Sequence, residues 1–152
     1  MPWPNLPPGI RLPPHVYVPG KNARHPEDWF DLIKASVTPD IPSAELHRTT
    51  AFQTGLAYLQ AGYFWECHEV LEAVWMQTSD PSPEREMVQA LIQLANARLK
   101  LLMGKPRAAR RLCDMVQAHL TRCDQHKVVL GMGIEEVRAR LAAVRADAED
   151  AA

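Results

Sequence analysis

The sequence predicts an all-α protein of about five helices: two stacked antiparallel hairpins plus a C-terminal helix, with an extended Pro-rich N-terminal arm. Three observations carry this. Ten of the thirteen prolines lie in the first 42 residues. Proline lacks an amide donor and holds the residue before it extended, so the arm excludes a long helix. Beyond residue 43, apolar residues recur at helical spacing in five successive stretches. Finally, Leu59, Gly62, Cys67 and Leu71 are echoed at an offset of 42 residues by Leu101, Gly104, Ala109 and Cys113. A glycine at a bend with a small residue five positions later suits closely packed helical hairpins, although two units are fewer than a solenoid needs.

The elements follow in order. Residues 1–42 form the arm, with Trp3, Leu6, Ile10, Leu12, Val16, Tyr17 and Val18 as docking groups. Within it, a short helix near 27–35 is expected, because Pro26 and acids fill its first turn and Trp29, Phe30 and Ile33 share a side. Residues 43–148 form the helical domain. Its first helix starts near Ser43 and carries Phe52, Leu56 and Leu59 to the break at Ala61-Gly62. The second spans about Tyr63 to Gln77, and residues 78–83 read as a loop on composition. The third runs from about Glu84 to Met103, with Val88, Leu91, Ile92, Ala95, Leu99 and Leu102 inward. Gly104 ends it and Pro106 opens the fourth. Residues 128–133 read as a connection without a β hairpin. Ile134, Val137, Leu141 and Val144 stripe the fifth helix.

A chain of 152 residues, 47% apolar and 23% charged, has the balance of one globular domain. A formal net charge of −1 argues against a wholly basic nucleic-acid binder. No segment resembles a signal peptide or a membrane span, so a cytoplasmic protein without a membrane partner is expected. The three cysteines, Cys67, Cys113 and Cys123, have no CxxC spacing and lie among apolar neighbours, which reads as buried free thiols.

The chemistry concentrates in residues 62–75. Trp65, His68, Glu72 and Trp75 are spaced by three, four and three, so on a helix they share one face, while Glu66 and Glu69 point elsewhere. Imidazole and carboxylate one turn apart can meet one divalent metal ion, with Glu69 or His47 as further ligands. The same pair can instead form a buried hydrogen-bond network completed by Gln93 or Asn96 from the polar stripe of the third helix. Trp65, Trp75, Gln93 and Asn96 are the expected pocket-lining residues. The first reading gives a small metal-binding protein, with a metal-dependent enzyme as one form of it. The second gives a non-catalytic helical interaction module.

The pattern His68-x-x-x-Glu72-x-x-Trp75, preceded by Gly62-Tyr63-x-Trp65-Glu66 and joined by Glu69, resembles domain-of-unknown-function family 309, a group of small helical bacterial and archaeal proteins. Leu91-Ile92-Gln93, Gly104 with Ala108 or Ala109, and the entry Pro13-Pro14-His15-Val16-Tyr17-Val18-Pro19-Gly20 are similar to that family too. The resemblance implies an all-α fold and metal binding by the His/Glu motif, with no assigned activity. Where it implies a histidine late in the third helix and an asparagine after Gly104, this chain has Arg98, Lys100 and Lys105.

Two smaller clusters remain. His119, Cys123 and His126 share a helical face and are zinc-ligand types, although Cys123 also continues an apolar stripe. Arg98, Lys100, Lys105, Arg107, Arg110 and Arg111 surround the turn between the third and fourth helices without an intervening acid. There Arg107, Arg110 and Arg111 could hold a phosphorylated ligand, nucleic acid or acidic partner, or simply form a solvated face. The sequence leaves open whether the chain forms a homo-oligomer.

Overall fold

The computed structural model describes residues 3–152. Within them lie six α-helices, the first inside the arm: α1 (Asp31–Lys34), α2 (Thr50–Ala61), α3 (Phe64–Gln77), α4 (Pro83–Leu102), α5 (Pro106–Cys123) and α6 (Ile134–Ala151). A 3-10 helix at Ser43–Arg48 precedes α2. The strands β1 (Val128–Val129) and β2 (Met132–Gly133) separate α5 from α6.

The expected five helices and short arm helix become seven because the first of the five divides. Thr49 is extended, at φ −72° and ψ 150°, and its hydroxyl oxygen accepts from the Phe52 amide at 3.1 Å. A hydroxyl residue serving as N-cap starts α2 afresh. The arm helix is also shorter than expected: residues 27–30 are turns, and only Asp31–Lys34 close α-helical bonds.

Successive helices pack on one another, α2 on α3, α3 on α4, α4 on α5 and α5 on α6, and α4 also touches α6. The two sharp reversals use one bonding pattern. At the α2–α3 turn, Gly62 sits at φ 90°, its amide reaches the Leu59 carbonyl and the Tyr63 amide reaches the Tyr58 carbonyl. Forty-two residues on, Gly104 sits at φ 73°, its amide reaches Leu101 and the Lys105 amide reaches Lys100. Only a residue without a Cβ enters that region freely, which fixes glycine at both bends. Cys67 and Ala109, and then Leu71 and Cys113, are fully buried at matching positions. The repeated spacing therefore corresponds to a repeated helix–turn–helix geometry.

Gly55 shows how closely α2 approaches α3. A Cβ placed there would stand 2.5 Å from Leu71 Cδ2. The core continues through Val70 and Val74 of α3, Met87, Leu91 and Leu94 of α4, Val116 and Leu120 of α5, and Val137, Leu141 and Val144 of α6. Contrary to the expected plain connection, residues 128–133 form a minimal antiparallel hairpin pairing Val128 with Gly133 and Val129 with Met132. Its turn places Leu130 at φ 52° and Gly131 at φ 71°. Val129, Leu130 and Met132 are buried, so core contacts hold a leucine in a backbone region it seldom enters.

The arm is mostly irregular and wraps the helices. Trp3 donates from Nε1 to Glu136 Oε1 at 2.6 Å, with the Arg140 guanidinium 3.4 Å above its ring. The Tyr58 hydroxyl donates to the Arg11 carbonyl at 3.2 Å. Lys21 Nζ donates to the Leu102 carbonyl at 2.7 Å.

Candidate functional site

Helix α3 places its polar residues on three surfaces. His68 Nε2 lies 3.1 Å from Glu72 Oε2, as the i,i+4 spacing requires, on side chains 29% and 55% exposed. The pair thus sits at the surface, and the expected burial is corrected: Glu72 is open to water. Gln93 and Asn96 bond to each other, Nδ2 of Asn96 donating to Oε1 of Gln93 at 3.2 Å, with no hydrogen bond recorded from either to His68 or Glu72. Glu69 accepts from Lys34 Nζ at 2.9 Å, tying α3 to α1. His47 lines a different hollow, of about 270 Å³, with Trp3, Phe52, Leu130 and Glu136. Among the described residues no three His, Cys, Asp or Glu side chains converge as a metal-ligand set.

The buried polar centre of α3 is Glu66. Its Oε2 accepts from His25 Nε2 at 2.7 Å and from the Tyr17 amide at 2.8 Å, and the two side chains are 1% and 0% exposed. Glu66 Oε1 and His25 Nδ1 have no hydrogen-bond partner among the described residues. Aromatic rings enclose the pair: His15 lies tilted against His25 with ring centres 4.4 Å apart, with Phe30 at 5.7 Å and Trp65 at 6.2 Å. Trp65 also meets Tyr17 edge-on at 4.9 Å and carries Arg24 over its ring at 5.2 Å. Trp65 is therefore part of the arm's seat. Glu66 shares helical phase with Val70 and Val74, both buried. That phase was the signal for its inward direction: Glu66 points away from the His68 face, as expected, and into the core.

Trp75, by contrast, does wall a cavity. A space of about 610 Å³ opens where the end of α3, the 78–83 loop, the start of α4 and the end of α5 meet. Its lining includes Trp75, Arg85, Glu86, Gln89, His119 and Arg122, with His126 and Gln125 at the α5 end. Arg85 lies 3.9 Å over the Trp75 ring, and its Nε is 3.8 Å from Asp80. Glu86 Oε2 is 2.8 Å from His119 Nδ1 and 3.6 Å from Arg122. Ser82 is spent as the N-cap of α4: its oxygen accepts from the Arg85 amide and its hydroxyl donates to the Ser79 carbonyl. The sequence supplied Trp75 for this cavity but missed Arg85, Glu86 and Arg122, whose loop and helix-end positions carry no periodic signal.

His119 and His126 reach the cavity, while Cys123 turns inward and its thiol donates to the His119 carbonyl at 3.6 Å. The three side chains do not combine as ligands. Burial pushes the Cys123 thiol up to about 11, with Glu86 and Asp124 nearby adding to the rise. Burial also raises Cys67, reinforced by the adjacent Glu66 charge, and Tyr58, the latter to about 12. All three cysteines are free and buried. None is an activated thiolate.

At the α4–α5 turn, Lys105, Arg107, Arg110 and Arg111 line a second concave surface of about 530 Å³. Arg98 leaves the sequence cluster, because it is bonded to Asp147 of α6. No helix among the described residues is long and apolar enough to cross a membrane.

No curated protein and no solved structure matches the chain. The family model described as Domain of unknown function (DUF309) matches residues 52–112, a segment running from α2 into α5 that contains both glycine turns, His68, Glu72 and Trp75. Over that segment the chain is similar to the DUF309 family.

Proposed function

We propose that the protein is a ligand-binding helical module whose site is the Trp75 cavity, and that the ligand is a small organic acid. The observation that carries this reading is the surplus of N–H donors over carboxylates lining that cavity. Its two carboxylates are already engaged, Asp80 beside Arg85 and Glu86 between His119 and Arg122. The guanidinium groups of Arg85 and Arg122 and the amides of Gln89 and Gln125 bring donors in excess. A concave site with an indole wall and convergent donors suits a compact molecule carrying acceptor oxygens. No lining group is arranged as a nucleophile, which favours binding over chemistry. Titrating the protein with a panel of aliphatic and aromatic carboxylates, followed by tryptophan fluorescence and calorimetry, tests it. The expected result is saturable binding by part of the panel, weakened roughly tenfold or more in Arg122→Gln. Equal affinity in Arg122→Gln and Trp75→Leu would refute the site.

A second reading is supported by His68 and Glu72. Their Nε2 and Oε2 atoms are 3.1 Å apart on a half-buried and an exposed side chain, so both can serve as ligands to one divalent ion, with water completing its shell. Two protein ligands imply weak, exchangeable binding. Equilibrium dialysis of untagged protein against zinc, nickel or manganese should give stoichiometric uptake that disappears in His68→Ala. Uptake unchanged by that substitution would eliminate the pair as a site.

A further inference from the structure

We propose that the α4–α5 turn is a second site, one that binds the phosphate groups of a small diphosphate-bearing molecule. Of the thirteen lysine and arginine side chains elsewhere, seven meet an acid: Lys34, Arg48, Arg85, Arg98, Arg122, Arg138 and Arg145. Lys105, Arg107, Arg110 and Arg111 line one concavity and meet none among the described residues. Lys21 of the arm reaches the same turn at the Leu102 carbonyl.

The backbone adds to this charge. Helix α5 opens at Pro106, which has no amide hydrogen, and the first bond into the helix is Ala109 to the Lys105 carbonyl at 3.1 Å. The amides of Arg107 and Ala108 therefore have no acceptor within the helix, no side chain caps them, and no acid stands in the first turn. Four like charges round one hollow repel one another, and an anion placed there relieves that repulsion while satisfying the amides. Guanidinium groups match phosphate oxygens two at a time, and three arginines with a lysine exceed the need of a single phosphate. Ala152 also lines the hollow and forms no ion pair with any of them. No aromatic side chain lines the hollow, so a base-stacking polymer is not what it fits.

The probe is pyrophosphate, with inorganic phosphate and acetate for comparison, titrated calorimetrically into the full chain at about 50 mM and about 200 mM salt. The expected result is one-to-one binding of pyrophosphate, tighter than phosphate and much tighter than acetate, falling about tenfold or more at the higher salt. Arg107→Gln with Arg111→Gln should lose at least about tenfold with an unchanged circular dichroism spectrum, while Arg107→Lys with Arg111→Lys should recover part of it. Lys105→Gln, whose side chain is exposed, provides an independent loss should the double variant fold poorly. The proposal is overturned by absence of pyrophosphate binding at the lower salt, by affinity unchanged in these variants, or by acetate binding as tightly. Retention of a single-stranded RNA oligonucleotide that pyrophosphate cannot displace would overturn it in favour of a polymer backbone. None of these outcomes depends on the Trp75 cavity, whose variants and carboxylate probes are separate.

Discussion

Glu66 occupies a position where the phase of α3 calls for an apolar residue, and its carboxylate is held by groups that all come from the arm. Removing one partner of a buried pair leaves the other without compensation, which costs far more than an exposed pair is worth. His25→Ala should therefore destabilise by about 3 kcal/mol or more in chemical denaturation, whereas Glu72→Ala at the surface should cost under about 1 kcal/mol. Equal effects would show that Glu66 is satisfied in some other way. The thiols give a second test at this scale. Burial raises the Cys123 thiol from its ordinary 9.0 to about 11, so the folded state favours the protonated form. Its contribution to stability is full below pH 9 and declines as pH rises towards 11, because the unfolded chain releases that proton first. At pH 8 a disulfide-exchange reagent should label no cysteine until denaturant is added, and immediate labelling of native protein would contradict the burial.

Between α2 and α3 the spacing depends on the absence of a side chain. Gly55→Ala would drive a methyl into Leu71, which is fully buried and has little room to turn. The expected cost is about 1–3 kcal/mol, against the usual gain in helix propensity from replacing glycine by alanine. A melting temperature that rises instead would show that the two helices can separate without loss. The same scale shows what the chain reveals of itself. Helices α3 to α6 were legible because each buries one apolar stripe, and the glycine turns were legible because two of them repeat 42 residues apart. The division at Thr49 was hidden because Leu46 and Phe52 are buried on both sides of it, so the apolar pattern runs through the break. The Leu130-Gly131 hairpin was hidden because leucine is not a residue that announces positive φ. At the site, His68 and Glu72 were correctly paired by spacing, yet spacing says nothing of exposure. The Trp75 cavity draws on the end of α3, a proline-bearing loop and the far end of α5, which meet only through the packing of whole elements.

Across the whole molecule, the arm and the helices depend on each other. Tyr17, His25 and Trp3 supply partners for Glu66 and Glu136, and Tyr17 and Phe30 of the arm cover Trp65. Deleting residues 1–30 should leave a buried carboxylate unpaired and aromatic surface exposed. A fall in melting temperature of about 10 °C or more, with increased binding of a hydrophobic dye, is the expected outcome. A truncated protein with the native melting temperature would reduce the arm to a tail.

The bond between Trp3 and Glu136 also sets a timetable. Its partners are separated by 133 positions, almost the full span of the described chain. At ribosomal speeds that separation amounts to roughly 7 to 27 s between the appearance of the tryptophan and of its acceptor. Throughout that interval Trp3 has emerged and its berth on α6 does not yet exist. Closure between such distant points is entropically slow even in a finished chain, so the N-terminal indole belongs to the last event of maturation. A nascent chain stalled before α6 would carry a complete pair of helical hairpins and an indole still searching for its place.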